Sequence, residues 1–226
     1  MSIRSPQARF RINSSLNDYV KSFKAFAFSN YFNGKIIRQL EAEICQKLNI
    51  ANAIAMPQAR VGLYLSIAAI IEPGKEVVLS PNTIADVINM VICAGAKPVF
   101  CDIDPATGNL DPDLVEKLIT PDTAAILITH LYGLVAPMDR FLEIKNKYNI
   151  MLIEDAAQAF GARRDKKYAG TIGDIGVYSF GMAKSVMAFY GGMLVTPHKN
   201  IAEAIREKLE NFPSMDKKKL KNKIIS

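Results

Sequence analysis

The sequence predicts an α/β fold with a mostly parallel central sheet. Short runs that are wholly apolar recur between longer segments whose apolar residues follow helical spacing, and strands that are apolar throughout are typically buried on both faces. Helices between such strands imply parallel crossover connections. Half of the 226 residues are apolar and 22% are charged. This composition is sufficient for a large core and excludes a disordered chain.

The predicted elements alternate regularly from residue 35 onward. Apolar residues at helical spacing predict helices over 35–48, 59–71, 83–94, 111–119, 138–148 and 202–209. Continuous apolar runs predict strands over 76–79, 98–101, 125–128, 150–153, 175–180 and 193–195, after a shorter apolar run at 53–56. We therefore expect an N-terminal arm over 1–34, one large domain over 35–212 and a basic tail over 213–226.

The net charge of +6 is concentrated at the two ends of the chain. Residues 1–11 carry three arginines and no acid, and residues 216–223 carry five lysines and one acid. No aromatic residues are interleaved with these lysines, so the charge does not favour a nucleic-acid partner. No apolar stretch approaches the ~20 residues of a bilayer-spanning helix, and the first residues show no secretory signal. We expect a cytoplasmic protein with no membrane partner.

The cysteines and histidines do not predict a metal site. Cys45, Cys93 and Cys101 show no CxxC spacing and are interpreted as buried thiols in a reducing compartment. His130 and His198 are the only histidines, and both are expected to be structural. Because no Cys/His cluster is present, we expect no bound metal. GxGxxG at the start of a first helix and GxSxG are also absent, which argues against a Rossmann nucleotide site and a serine hydrolase.

Three polar features lie at the ends of predicted strands, where parallel sheets place ligands. Asp155 follows the strand at 150–153, Ser179 and Lys184 follow another strand, and Gln58-Ala59-Arg60 precedes a helix. Singly, such residues are typical of helix caps, turns and surface charges. Together they supply an amine for a Schiff base, a carboxylate for a ring nitrogen, and a hydroxyl and helix N-terminus for a phosphate. These are the groups that pyridoxal 5′-phosphate (PLP) requires.

Six motifs also occur in a fixed order along the chain. They are Gly74-Lys75-Glu76-Val77, Gly95-Ala96-Lys97-Pro98-Val99-Phe100-Cys101-Asp102, His130-Leu131-Tyr132-Gly133, Glu154-Asp155-Ala156-Ala157-Gln158-Ala159-Phe160-Gly161-Ala162, Gly173-Asp174 with Ser179-Phe180 and Lys184, and Gly191-Gly192. In these motifs the stretch from about residue 35 to 210 resembles the large-domain half of the DegT/DnrJ/StrS family of PLP-dependent sugar aminotransferases. The resemblance implies the large domain of a PLP-dependent transferase of fold type I, the aspartate aminotransferase fold.

The resemblance also implies a role for each matching residue. Lys184 matches the lysine that forms the Schiff base and afterwards moves a proton. Asp155 matches the partner of the pyridine nitrogen, Gln158 matches a residue near the ring hydroxyl, and Ser179 matches a phosphate ligand.

Several positions depart from the family pattern. Gln58-Ala59-Arg60 replaces a Ser-Gly-Thr turn, so Ala59 and Arg60 would offer backbone amides and a cation to the phosphate but no threonine hydroxyl. Ile84 stands where an aromatic residue usually stacks on the cofactor. Phe189-Tyr190 replaces Gly-Glu, and Phe160 replaces a histidine.

By resemblance, the reaction is a transamination. An amino acid, usually glutamate, would supply the nitrogen, and the acceptor would be the keto group of a nucleotide-linked sugar destined for a polysaccharide or an antibiotic. Members of the family act as homodimers and carry a smaller C-terminal domain. We expect that domain to be absent from this chain.

Three alternatives remain open at this point. A member that dehydrates its sugar would carry histidine in place of Lys184, so the lysine argues against dehydration. A truncated, non-catalytic member with a regulatory role would keep the fold. Half of a split enzyme would need a separately encoded partner.

Overall fold

The structure is a computed structural model that describes Asn17, Val20 and residues 34–181, 184–186, 188 and 190–212. The predicted tail over 213–226 lies outside the described residues. So does the predicted arm over 1–34, apart from Asn17, Val20 and Gly34.

The described residues form six α-helices and nine strands. The helices are α1 (Lys35–Leu48), α2 (Ala59–Ala68), α3 (Ala85–Cys93), α4 (Pro112–Leu118), α5 (Met138–Tyr148) and α6 (Lys199–Glu210). The strands are β1 (Asn52–Met56), β2 (Glu76–Leu79), β3 (Lys97–Phe100), β4 (Thr123–Thr129), β5 (Met151–Asp155), β6 (Arg163–Arg164), β7 (Lys167–Tyr168), β8 (Ile175–Ser179) and β9 (Gly192–Thr196). Each predicted helix and strand has a counterpart, whereas the short β6–β7 hairpin was not predicted.

Seven strands form one sheet in the order β1-β9-β8-β5-β4-β2-β3. Four of its six pairings are parallel, and only β9 runs antiparallel to its neighbours β1 and β8. The predicted α/β class with a mostly parallel sheet is therefore confirmed. The carboxyl ends of β2, β4, β5 and β8 consequently lie along one edge of the molecule, as expected for a ligand site.

Helices cover both faces of the sheet. Alternate residues of each strand face opposite sides: Val77 and Leu127 belong to a core shared with α2, α3 and α6, whereas Val78 and Ile126 belong to a core shared with α4 and α5. α1 packs with β1 and β9 in a third cluster. The central strands are buried on both sides, which explains why they are apolar throughout.

Some boundaries differ from the prediction. β5 extends through Asp155, so this residue ends the strand instead of following it. α2 ends at Ala68, and α3 begins at Ala85 after the N-cap Ile84. The prediction of buried thiols holds for Cys101, but Cys45 is partly exposed and Cys93 is exposed. Cys93 lies two residues after the buried Val91, a step that turns it away from the core side of the helix.

Two side chains occupy the outer edge of β1. Glu41 of α1 accepts a hydrogen bond from the Ala55 N–H at 2.8 Å, and Arg206 of α6 donates to the Ala53 carbonyl at 2.9 Å. Arg206 also donates to Glu41 at 2.9 Å. This ion pair therefore satisfies backbone groups that an edge strand otherwise leaves open.

Candidate active site

One cavity brings most of the predicted site residues together at the carboxyl ends of β5 and β8. Its volume is about 320 Å³, at the lower end of the range of roughly 300–1,000 Å³ for small-molecule sites. Six of the seven predicted site residues line it, namely Ala59, Arg60, Ile84, Asp155, Ser179 and Lys184. Gln158 is not among the lining residues. The starts of two helices, α2 and α3, thus face the same space as the ends of two strands.

Glu154 and Asp155, the adjacent acids that end β5, have different surroundings because neighbouring side chains in a strand point to opposite faces. Asp155 lines the cavity. Glu154 is fully buried and accepts hydrogen bonds from the N–H groups of Gly170, Ile172 and Gly173 at 2.6–2.7 Å. Glu154 therefore anchors the segment that leads into β8, and Asp155 is the acid that a ligand can reach.

His130 completes the anchor around Glu154. Its Nε2 lies 2.8 Å from a Glu154 oxygen, and both side chains are fully buried. Its Nδ1 accepts a hydrogen bond from the Ala136 N–H, so Nε2 carries the proton and donates to the carboxylate. Both ring nitrogens thus make hydrogen bonds inside the core. This geometry is consistent with the expectation that His130 is structural.

The environment of Asp155 opposes its negative charge. Burial raises the pKa of the carboxyl, while a hydrogen bond from the Ala157 N–H and the charge of Lys184 act in the opposite direction. Within the described residues, the Ala157 N–H is the one group that donates a hydrogen bond to this carboxylate, at 3.1 Å. A cationic group in the cavity would compensate the buried charge.

Lys184 lies between β8 and β9, in a connection whose two ends are fixed by strand pairing. Ser179 pairs with Gly192 across the two strands, and the Phe180 N–H donates to the Gly191 carbonyl at 3.0 Å. Lys184 is half-buried, and its positive charge partly offsets the rise that burial causes in the pKa of the Asp155 carboxyl. The lysine, the aspartate and the Ser179 hydroxyl thus share one cavity.

The first turn of α2 lines the same cavity through Ala59 and Arg60. Gln58 is the N-cap but makes no side-chain capping bond, and the N–H groups of Ala59 and Arg60 precede the first bonds that close the helix. Gly192 of β9 packs directly beneath this turn, because a Cβ on it would lie 2.7 Å from the Ala59 nitrogen. The glycine allows the helix start to approach the sheet closely.

Arg60 forms an ion pair on the cavity wall. Its Nη1 lies 2.7 Å from Oδ2 of Asp86, and the two side chains are 52% and 38% exposed. Asp86 stands in the first turn of α3 and also lines the cavity. Sequence reasoning identified Arg60 but missed Asp86, because an acid in the first turn of a helix is an ordinary feature.

Three further departures from the family pattern, Ile84, Tyr190 and Phe160, lie in the described residues, whereas Phe189 lies outside them. Ile84 is 62% exposed and brings an aliphatic side chain to the cavity. Tyr190, which the prediction did not include among the site residues, also lines the cavity. Phe160 makes edge-to-face contacts with Tyr178 and Phe180 at centroid distances of 5.2 and 5.6 Å. Its replacement of histidine therefore serves packing.

Gln158 is held next to the cavity without lining it. Its side-chain oxygen accepts a hydrogen bond from the Tyr132 N–H at 3.1 Å. Tyr132 has a left-handed backbone with φ of 55° and ψ of 19°. Gln158 therefore supports the turn after β4 in this conformation.

The described ranges contain neither a metal-binding cluster nor a membrane-spanning helix. No group of three or more His, Cys, Asp or Glu residues in these ranges could hold a metal ion. None of the helices found there is long and apolar enough to cross a bilayer.

Comparison with known proteins identifies the family. The model of the DegT/DnrJ/EryC1/StrS aminotransferase family matches residues 16–225. A GDP-perosamine synthase of Caulobacter vibrioides is 38% identical over 174 residues, covering 76% of this chain and 47% of that protein. A pleiotropic regulatory protein of Geobacillus stearothermophilus is 37% identical over 180 residues, covering 79% and 48%. The chain thus spans about half the length of the curated relatives it matches.

A solved structure shows the same architecture. An aminotransferase from Psychrobacter cryohalolentis superimposes with a TM-score of 0.82 at 32% identity, covering 89% of this chain and 52% of that one. This similarity confirms the predicted fold class.

Proposed function

Because the chain belongs to the DegT/DnrJ/EryC1/StrS aminotransferase family, we propose that it is a PLP-dependent aminotransferase. The acceptor would be a keto nucleotide-sugar, and the amino donor an amino acid, with glutamate expected. The relative named GDP-perosamine synthase supports the nucleotide-sugar class. The observation that carries the proposal is the single cavity that contains Lys184, Asp155, Ser179 and the start of α2.

The residues that line the cavity fit this cofactor. Asp155 is a buried acid whose raised pKa reflects a poorly compensated charge, and a protonated pyridine nitrogen would compensate it. The backbone donors of Ala59 and Arg60, with the Ser179 hydroxyl, suit a phosphate. Lys184 offers a primary amine to an aldehyde. The cavity is thus lined by residues that offer a carboxylate, an amine and hydrogen-bond donors for an anion.

Each residue would have a distinct task. PLP, when bound, supplies an electron sink for the bonds at the amino carbon. Asp155 would hold a proton on the ring nitrogen, and Lys184 would bind the cofactor and then move a proton at the substrate carbon. Ser179, Ala59 and Arg60 would bind the phosphate. Ile84 would pack against the ring through aliphatic contacts, and Gln158 would lie near the ring hydroxyl.

We further propose a cytoplasmic homodimer. In such an assembly the second copy would contribute residues to the cavity beside Ile84, which is 62% exposed. Size measurement in solution, combined with cross-linking, tests this part of the proposal independently of activity.

Cofactor capture tests the central claim. The purified chain is incubated with PLP and reduced with borohydride, and the modified peptide is then mapped. We expect a reduced adduct on Lys184 that is lost in Lys184→Ala, with Lys166→Ala as a control for a surface lysine. A folded chain that takes up no PLP on Lys184 would reject autonomous cofactor binding.

One observation favours a second candidate. A relative that this chain matches is named as a pleiotropic regulatory protein, so a non-catalytic member with a regulatory role is the alternative. Amino transfer from glutamate distinguishes the two. An aminotransferase moves nitrogen to a keto nucleotide-sugar, whereas a non-catalytic member moves none.

A further inference from the structure

The ion pair between Arg60 and Asp86 places opposite charges at the end of the cavity assigned to the phosphate. Nη1 of Arg60 lies 2.7 Å from Oδ2 of Asp86. Both residues line the cavity, and each belongs to the first turn of a different helix. Any anion that hydrogen-bonds to the Arg60 guanidinium would therefore meet the Asp86 carboxylate as a near neighbour.

The charges of Arg60 and Asp86 interact differently with the N-terminal ends of their helices. The start of a helix favours an acid and disfavours a cation. Asp86 is therefore well placed at the start of α3, whereas Arg60 at the start of α2 gains from a nearby anion. In this structure Asp86 is that anion. A phosphate would offer Arg60 a second, doubly charged partner in the same cavity.

We propose that Asp86 is a specificity-determining residue that competes with the phosphate group for the guanidinium of Arg60. This inference rests on the proposed function, because it assigns the phosphate end of the same site. Asp86 lowers the affinity of the site for anions in general. A ligand with a phosphate must therefore gain its affinity from the rest of the cavity as well.

Two effects of Asp86 oppose each other, and their sizes decide the outcome. Asp86 also orients Arg60, but ion pairs between partly exposed side chains hold their partners weakly. The repulsion between the carboxylate and a dianion is the larger effect, because it acts between a full and a double charge at close range. Removal of the Asp86 charge is therefore expected to strengthen phosphate binding.

Asp86→Asn tests the competition, since asparagine keeps an oxygen to which Arg60 can donate. The probes are PLP, inorganic phosphate and pyridoxal, which lacks the phosphate. Isothermal titration is expected to show about fivefold tighter binding of PLP and of inorganic phosphate by the variant, with the affinity for pyridoxal unchanged. Arg60→Gln is expected to weaken phosphate binding, and Asp86→Asn is expected to give a smaller gain in that background, because no guanidinium is then freed.

A matched control separates local from general charge effects. Asp122 forms a 2.9 Å ion pair with Lys75 before β4, at the opposite end of the sheet. Asp122→Asn makes the same charge change and is expected to leave all three affinities unaltered. Thermal unfolding of each variant confirms that it folds.

The outcomes distinguish this inference from the proposed function. PLP capture on Lys184 with unchanged or weaker phosphate binding in Asp86→Asn would overturn the competition alone. Tighter inorganic phosphate binding without any PLP capture would support the competition and reject the proposed cofactor. An equal gain in Asp122→Asn would show a non-specific charge effect and would also overturn the inference.

Discussion

Asp155 carries a buried negative charge that the chain itself compensates only in part. Burial raises the pKa of this carboxyl above the unfolded value of about 3.9. The folded state therefore binds the proton more tightly than the unfolded state. Stability is lost as the pH rises from the unfolded value to the raised one, because the unfolded chain ionises first.

Asp155→Asn removes this loss while keeping an oxygen for the Ala157 N–H. We expect the cofactor-free variant to be more stable than the wild type at neutral pH, by about 1 kcal/mol, as is common where a functional site is strained. Urea unfolding of both chains at several pH values measures the difference. The difference should vanish below the unfolded pKa, and a variant that is less stable at neutral pH would contradict the argument.

Glu154 is the opposite case, an acid whose charge is well compensated. Its two oxygens accept hydrogen bonds from three backbone N–H groups and His130. In Glu154→Gln, the amide would face N–H donors on whichever side it lies. We expect a loss of about 3 kcal/mol by urea unfolding.

Glu203→Gln on the surface of α6 is the control for this prediction, because Glu203 pairs with Lys199 at 3.6 Å and is 65% exposed. It should change stability by less than roughly 0.5 kcal/mol. Equal effects of the two substitutions would show that the hydrogen bonds to Glu154 contribute little.

The sequence could predict some of these residue roles and not others. Asp155 was identifiable because an acid at a strand end stands out, and the period of a strand then places Glu154 on the other face. Asp86 was not identifiable, since only the folded chain brings the starts of α2 and α3 to one cavity. Tyr190 carried a sequence signal only as a departure from the family pattern.

At the scale of elements, the contact between β9 and the start of α2 controls the shape of the cavity. A Cβ on Gly192 would lie 2.7 Å from the Ala59 nitrogen and 2.9 Å from the Tyr178 carbonyl oxygen. Gly192→Ala should therefore push the helix start away from the sheet. We expect a loss of about 2 kcal/mol by urea unfolding and weaker binding of PLP.

Gly181→Ala serves as the comparison for Gly192→Ala. Among the described residues, the nearest atom to its added Cβ is the Ser179 hydroxyl oxygen at 3.5 Å, an ordinary contact. It should cost less stability than Gly192→Ala. A larger loss at position 181 would refute the account of the contact beneath α2.

Among the elements, the long periodic helices and the apolar strands were predictable from spacing alone. The β6–β7 hairpin was missed because two-residue strands leave no periodic pattern. Its turn residues Asp165 and Lys166 both have positive φ. The usual sequence signal of such a turn is Asn-Gly or Asp-Gly, which this pair does not show. The antiparallel direction of β9 was also hidden, because a fully buried strand looks the same in either direction.

At the scale of the whole molecule, ligand binding should raise the resistance of the chain to heat. A ligand at a hundred times its Kd adds about 2.7 kcal/mol of stability. For a chain of this size, this corresponds to a rise in Tm of roughly 5–10 °C. We expect this rise with saturating PLP in a thermal unfolding experiment, and a much smaller one with pyridoxal.

The same measurement in Ser179→Ala separates the phosphate contribution from the rest of the cavity. A reduced rise with PLP and an unchanged one with pyridoxal is the expected result. A rise of equal size with both ligands would place the phosphate away from Ser179 and the start of α2.

The outer edge of β1, which Glu41 and Arg206 occupy, limits how the sheet can pair with another chain. Glu41 and Arg206 fill the hydrogen-bonding positions that another strand would need. At the opposite margin, the N–H groups of Lys97 and Cys101 point inward to β2, so the alternation of a strand turns Pro98, which has no N–H, outward. Neither margin offers a full template for edge-to-edge growth into fibrils. A contact between two copies of the described residues would therefore not extend this sheet.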